Sequence, residues 1–124
     1  MKFQKDETLF TGRIKSMGFA AKGAYKLITT EHSVMVQSTL AVCMIIAGFY
    51  FNISKSEWLV QTLATGLVLG IEGLNTAVEK IADFIHPDYH ERIGFIKDIA
   101  AGAVFFAALT AIAIACIIYI PYLV

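Results

Sequence analysis

Three apolar runs punctuate the chain. VMVQSTLAVCMIIAGFYF fills 34–51, a second run opens at Trp58 and passes Ile71, and a third extends from Ile99 to about Ile120 with no charge in it. The first and third approach the roughly 20 residues that an α-helix needs to cross a bilayer. The second is short if it stops at Ile71, but its helical signal continues to Ile85, where His86-Pro87 should end it. The pattern predicts helices over 34–51, 58–85 and 97–120, the middle one leaving the hydrocarbon in its lower part. Upstream, Phe10, Ile14, Met17, Ala21, Tyr25 and Ile28 recur at helical spacing while Lys15, Lys22 and Lys26 gather on another face. That spacing predicts an amphipathic helix over 8–30, lying in the membrane interface with its lysines toward lipid phosphate. A soluble amphipathic helix is the alternative. The expected fold is an all-α membrane protein, one domain over 1–124, with one interfacial helix and three transmembrane helices.

Composition agrees. Hydrophobic residues make up 57% and charged residues 16% of the chain, whereas soluble domains are nearer half apolar and about a quarter charged. The 10 basic and 10 acidic residues cancel, so no nucleic-acid partner is expected. Cys43 and Cys116 each lie in an apolar run without a CxxC, which favours packing over a disulfide or a metal site. No cleavable signal-peptide pattern is present, so insertion is expected to rely on the apolar runs.

Charge placement says more than charge balance. Lys2, Lys5, Arg13, Lys15, Lys22 and Lys26 precede the first run, and Lys55 lies in the NISKSE loop. Lys80, Arg92 and Lys97 lie between the second and third runs, and no basic residue follows the third. The positive-inside rule then puts the N-terminus and the second loop in the cytoplasm, and Trp58, Tyr119 and Tyr122 at the outer interface.

On the cytoplasmic side this topology places EGLNTAVEKIAD, residues 72–83. At about 100° per residue, Glu72, Asn75, Glu79 and Asp83 share an arc of about 80°, with Gln61, Thr65 and Thr76 on the same side. Such a stripe cannot look at lipid chains; it must face helices, water or a ligand. Carboxylates beside an amide suit a divalent cation such as magnesium, or a general base near a hydroxyl. A structural polar cluster and a proton or cation pathway are the alternatives. Lys97-Asp98, at the entry to the third run, suits phosphate as a point charge with an acid beside it, or simple capping with a snorkelling lysine. Asp88-Tyr89-His90 reads as a polar surface turn, and His32 and His86 as interfacial polar residues. No phosphate loop, GxGxxG, HExxH, GxSxG or haem CxxCH occurs.

The stretch ExLNTAxExxxD, Glu72 to Asp83, resembles the signature of the small integral-membrane diacylglycerol kinases of bacteria, whose Gram-positive relatives phosphorylate undecaprenol. The match extends to KDIAAGAV from Lys97 to Val104, to Glu31 at the start of the first run, and to the interfacial-helix pattern from Lys15 to Gly23. The resemblance implies a homotrimer of three-span subunits in the bacterial cytoplasmic (inner) membrane, with active sites shared between subunits at the cytoplasmic interface. By position, Glu72 would be the general base on the lipid hydroxyl, and Asn75 would place the reacting groups. Glu31 and Glu79 would hold the magnesium of ATP. The ATP site would comprise Arg13, Lys15, Phe19, Glu31, Glu79, Asp88, Tyr89, His90, Lys97 and Asp98. The lipid would lie along Ser33, Val34, Gln37, Glu72 and Ala101, with Asp83 in a supporting role.

Three positions depart from the family pattern. Phe19 stands where a Tyr is usual, Arg13 lies one residue out of register, and Ala101 replaces the Ser of the diacylglycerol-type enzymes. AAGAV and the Ile-Pro near the C-terminus lean toward the undecaprenol kinase branch. The expected function is an ATP- and magnesium-dependent kinase acting on the hydroxyl of undecaprenol or diacylglycerol, giving undecaprenyl phosphate or phosphatidic acid. A proton or cation transport module on the same acidic stripe competes with it, as does an inactive relative serving as an assembly partner. The acids cluster at one end instead of forming a relay, which weighs against the first. Keeping Glu31, Glu72, Asn75, Glu79, Lys97 and Asp98 together weighs against the second.

Overall fold

A computed structural model describes residues 8–124; Lys2 and Lys5 of the basic N-terminal set lie outside them. The described chain is all-α: α1 Leu9–Thr30, α2 His32–Phe51, α3 Lys55–Ile85 and α4 Glu91–Leu123.

Each helix boundary has a local cause. Thr8 caps α1 by accepting from the Thr11 N–H at 3.2 Å. A single residue, Glu31 (φ −104°, ψ 116°), breaks the chain between α1 and α2. α2 ends at Asn52, whose left-handed φ of 52° lets the Ile53 N–H reach the Gly48 carbonyl at 3.1 Å and its own N–H reach that of Phe49 at 3.3 Å. This paired closure is the Schellman arrangement, and Asn tolerates the left-handed residue it requires.

α3 begins at Lys55, three residues before the apolar run that predicted it, because Ser54 and Glu57 form a capping box. The Glu57 N–H donates to Ser54 Oγ (3.2 Å) and the Ser54 N–H to Glu57 Oε1 (3.0 Å). α4 begins at Glu91, not Lys97, because His90 Nδ1 accepts from the Arg92 N–H at 3.0 Å and caps a polar first turn. α4 also runs through Pro121 to Leu123. A proline so near the end removes only one intrahelical bond, and the Val124 N–H still reaches the Ile120 carbonyl at 3.2 Å.

α3 and α4 form the main hairpin, joined through 86–90, and α2 lies against α3. The core sits at the NISKSE end. Ile53, Ile118 and Tyr119 are buried there among Met44, Phe51, Trp58 and Ile114. Gly48 lets Trp58 close in: a Cβ at Gly48 would stand 2.5 Å from the indole. Tyr119 Oη donates to Gln61 Oε1 (2.5 Å) and lies 3.2 Å from the Met44 carbonyl, which also accepts from Gln61 Nε2 at 3.1 Å.

Among the described residues, α2 and α4 are long and apolar enough to cross a membrane, with mean hydropathy 1.9 and 2.6. Only 11% and 17% of those stretches is buried, which is unlike the core helix of a soluble protein. α3 carries the acidic stripe in its second half and does not reach the same apolarity. The accessible surface is 9539 Å², against about 6,600 Å² for a folded soluble monomer of this mass. Much of the excess is exposed apolar side chain, such as Phe49, Leu63, Phe106 and Ile117. This is a surface for lipid or for other chains.

Candidate functional site

The acidic stripe lies on the half of α3 nearest the α3–α4 turn. The buried positions of α3 are Gln61, Ala64, Val68, Glu72, Thr76 and Ala82, the first five recurring at three and four residues on the face turned to the other helices. Glu72 lies in this buried series and is only 6% exposed. Its main-chain carbonyl accepts from Thr76 Oγ1 at 3.1 Å, and its carboxylate has no hydrogen-bond partner among the described residues. Unlike the Asn75 amide oxygen, its oxygens keep some access to solvent, so the position is open to a ligand or another chain.

One turn on, Asn75 Nδ2 donates to Glu79 Oε1 at 3.2 Å. The amide oxygen of Asn75 is buried without a partner, as is Ser38 Oγ on α2. Glu72, Asn75 and Glu79 therefore present oxygen acceptors along one line, with the amide NH₂ spent on orienting Glu79.

Two cross-helix ion pairs flank the stripe. Lys97 Nζ of α4 lies 2.5 Å from Asp83 Oδ1, which joins the two helices beside the turn and gives the last acid of the motif a partner. Lys80 Nζ lies 3.2 Å from Glu31 Oε1. Glu31 caps nothing with its side chain, so the break between α1 and α2 aims its carboxylate at α3. It arrives at the turn that carries Glu79 and Lys80. There, α1 and α3 border a groove floored by Gly23, Ala24, Gly73 and Ala77 and edged by Lys26, Glu31 and Lys80. Gly73 permits the approach: a Cβ there would stand 3.0 Å from Leu27 Cδ1.

The turn between α3 and α4 is ordered by its own polar groups. His86 Nδ1 lies 2.6 Å from the Asp88 carbonyl, and the rings of His86 and His90 are 5.3 Å apart. Tyr89 is exposed but lies along Gly94, whose Cβ would come within 3.2 Å of its ring. Asp98 is exposed on the first turns of α4. Arg13, Lys15 and Phe19 are exposed on the first half of α1, with Lys22 Nζ 6.0 Å from the Phe19 ring. No hydrogen bond or ion pair links Arg13 or Phe19 to the α3 stripe among the described residues.

The expected lipid contacts separate by burial. Val34 is buried, Ser33 and Ala101 are exposed, and Gln37 opens onto a cleft of ≈ 260 Å³ between α2, α3 and α4. Gln61, Thr65, Val68 and Ala111 also line that cleft, which starts one helical turn from Glu72.

As for metal, no group of three or more His, Cys, Asp or Glu side chains converges among the described residues. The donors present are still the type a hard cation takes: two carboxylates reaching one turn of α3, and a buried amide oxygen without a partner. The set fits magnesium if water or phosphate oxygens complete it. Lys80 is the residue that sequence reasoning passed over. Its partner Glu31 is far away in the chain, so no local spacing reveals the pair; the only signal was a cation inside an acidic motif.

Comparison with known proteins adds the context. The sequence pattern of prokaryotic diacylglycerol kinase matches residues 18–119. The chain is 33% identical over 109 residues to the undecaprenol kinase of Bacillus subtilis (strain 168), covering 88% of this chain and 89% of that one. It is 27% identical over 111 residues to the diacylglycerol kinase of Escherichia coli (strain K12), covering 90% and 91%. It is 30% identical over 107 residues to that of Synechocystis sp. (strain ATCC 27184 / PCC 6803 / Kazusa), covering 86% of this chain and 61% of that one.

Proposed function

Since the chain belongs to the prokaryotic diacylglycerol kinase family and is a lipid kinase, we propose that it transfers the γ-phosphoryl group of ATP to the hydroxyl of a membrane lipid, with undecaprenol preferred over diacylglycerol. The observation that carries this reading is the order along α3: a buried, unpartnered Glu72, then Asn75 bonded to Glu79, then Asp83 paired with Lys97.

Phosphoryl transfer needs in-line positioning and charge neutralisation more than covalent chemistry. Glu72 lies two turns deeper than Glu79, where a lipid hydroxyl held at the interface would arrive, and its carboxylate is free to accept that proton. Asn75 holds Glu79 through its NH₂ and keeps its oxygen for the reacting groups. Glu79 and Glu31 would hold magnesium, which when bound neutralises phosphate charge. Asp83 fixes the Lys97 ammonium beside the turn, where it can meet a phosphate oxygen. Asp88, Tyr89, His90 and Asp98 border the same end, and Arg13, Lys15 and Phe19 would close over the nucleotide from α1.

α3 acts as a third span between α2 and α4, with the N-terminus and the 86–90 turn in the cytoplasm of a bacterial inner membrane. Three chains meet, and the exposed apolar surface and unfilled oxygen donors of one chain support such sharing. The lean to undecaprenol rests on Ala101 and on the higher identity to the relative named undecaprenol kinase, 33% against 27%. The test is a side-by-side assay with γ-labelled ATP in mixed micelles. A higher kcat/KM for undecaprenol is expected; equal or higher values for diacylglycerol reverse the lipid assignment, and no label on either ends the kinase reading.

A further inference from the structure

Lys80 has no role in the chemistry above, yet it makes the only described side-chain contact of Glu31, a proposed metal ligand. Glu31 stands alone between two helices and makes no side-chain cap, and its side chain is 25% exposed. The ammonium that meets it, at 3.2 Å, comes from the residue directly after Glu79. A carboxylate oxygen ion-paired to a lysine and the same oxygen bound to a divalent cation are competing arrangements, since both draw on the same negative charge.

We propose that Lys80 is a positioning residue that holds Glu31 against α3 while the nucleotide site is empty and gives it up when the metal–nucleotide complex binds. This rests on the assignment of Glu31 and Glu79 to magnesium. The geometry favours exchange over a fixed bridge. The Lys80 side chain is 69% exposed and swings on a flexible four-carbon stem. Glu31 is anchored by the chain break, with its N–H bonded to the Leu27 carbonyl at 3.2 Å. The exchange therefore moves the lysine, and the carboxylate stays at the level of Glu79. Lys26 edges the same groove but is not ion-paired with Glu31, and so serves as a control for through-space charge.

The experiment is a Mn²⁺ titration of the purified full chain in detergent micelles, followed by electron paramagnetic resonance with a non-hydrolysable ATP analogue present. Lys80→Met should tighten Mn²⁺ by about two- to five-fold, the range set by an ion pair this exposed. Lys26→Met should change it less, and Lys80→Met should add nothing in a Glu31→Gln background. Unchanged or weaker Mn²⁺ binding in Lys80→Met, with normal binding by the wild type, overturns the inference. So does an equal gain in Lys26→Met. A wild type that binds no Mn²⁺ with the analogue overturns the underlying metal assignment instead.

Discussion

The two ends of the helix bundle are built on opposite terms. At the NISKSE end, polar groups find partners within one chain. Ser54 and Glu57 cap each other, Tyr122 Oη donates to Glu57 Oε1 at 2.7 Å, and Gln61, Tyr119 and the Met44 carbonyl close a buried triangle. At the 86–90 end, Glu72 is buried without a partner and the Asn75 oxygen is orphaned. The ion pairs there run through exposed lysines. The first end spends its hydrogen bonds on holding three helices in register. The second leaves the Glu72 carboxylate and the Asn75 oxygen unpaired, as a site that waits for substrate must. Polar substitutions should therefore cost stability at one end and activity at the other.

The largest separation is expected from Asn75→Leu. It removes the group that orients Glu79 and should lower kcat by about a hundred-fold, the cost of misplacing a reacting group by about an ångström. Because it also removes an unsatisfied buried oxygen, thermal unfolding in micelles should stay level or rise. A stability loss with intact turnover would erase the contrast.

Gly48→Val attacks the opposite end. Its added carbons meet the Trp58 ring, inside 3 Å, and overpacking of this kind costs about 1–3 kcal/mol. Unfolding should come earlier, while the folded fraction keeps its KM for ATP. A smaller effect comes from Tyr119→Phe, which leaves Gln61 Oε1 without its donor at a cost of about 1–2 kcal/mol. Turnover per folded molecule should hold.

The smallest effect is a pH dependence of the outer cap. The Ser54 N–H, followed by the Tyr122 hydroxyl, holds the Glu57 carboxyl below its ordinary value of 4.5. A depressed carboxyl contributes stability above the unfolded value and loses it as pH falls through the folded one. The cap should thus be at full strength above pH 4.5 and weaken below it. In Glu57→Gln, the acid limb of the unfolding profile should flatten; an unchanged limb would remove Glu57 from the cap's energetics.

The two ends also differ in how far the sequence disclosed them. Helical periodicity marked α1 to α4 and put Glu72, Asn75 and Glu79 on one line, because those relations are local. Helix starts were displaced where caps precede the apolar run: Ser54 with Glu57 moves α3 back to Lys55, and His90 moves α4 back to Glu91. Contacts between distant residues carried no pattern. The Lys97–Asp83 and Lys80–Glu31 pairs and the bond from Tyr119 to Gln61 depend on how helices pack. The same limit kept Asp83 without a partner in the sequence, and left Glu57 and Tyr122 as unrelated polar residues.

Labelled-phosphate transfer from ATP to undecaprenol, with wild type and Glu72→Gln compared in the same micelles, bears most directly on the kinase assignment of the 86–90 end. The wild type should label the lipid, and Glu72→Gln should fall by about 10²–10⁴-fold, the range for loss of a general base, with unfolding temperature unaltered. Full activity in Glu72→Gln, or no transfer by the folded wild type, would contradict it.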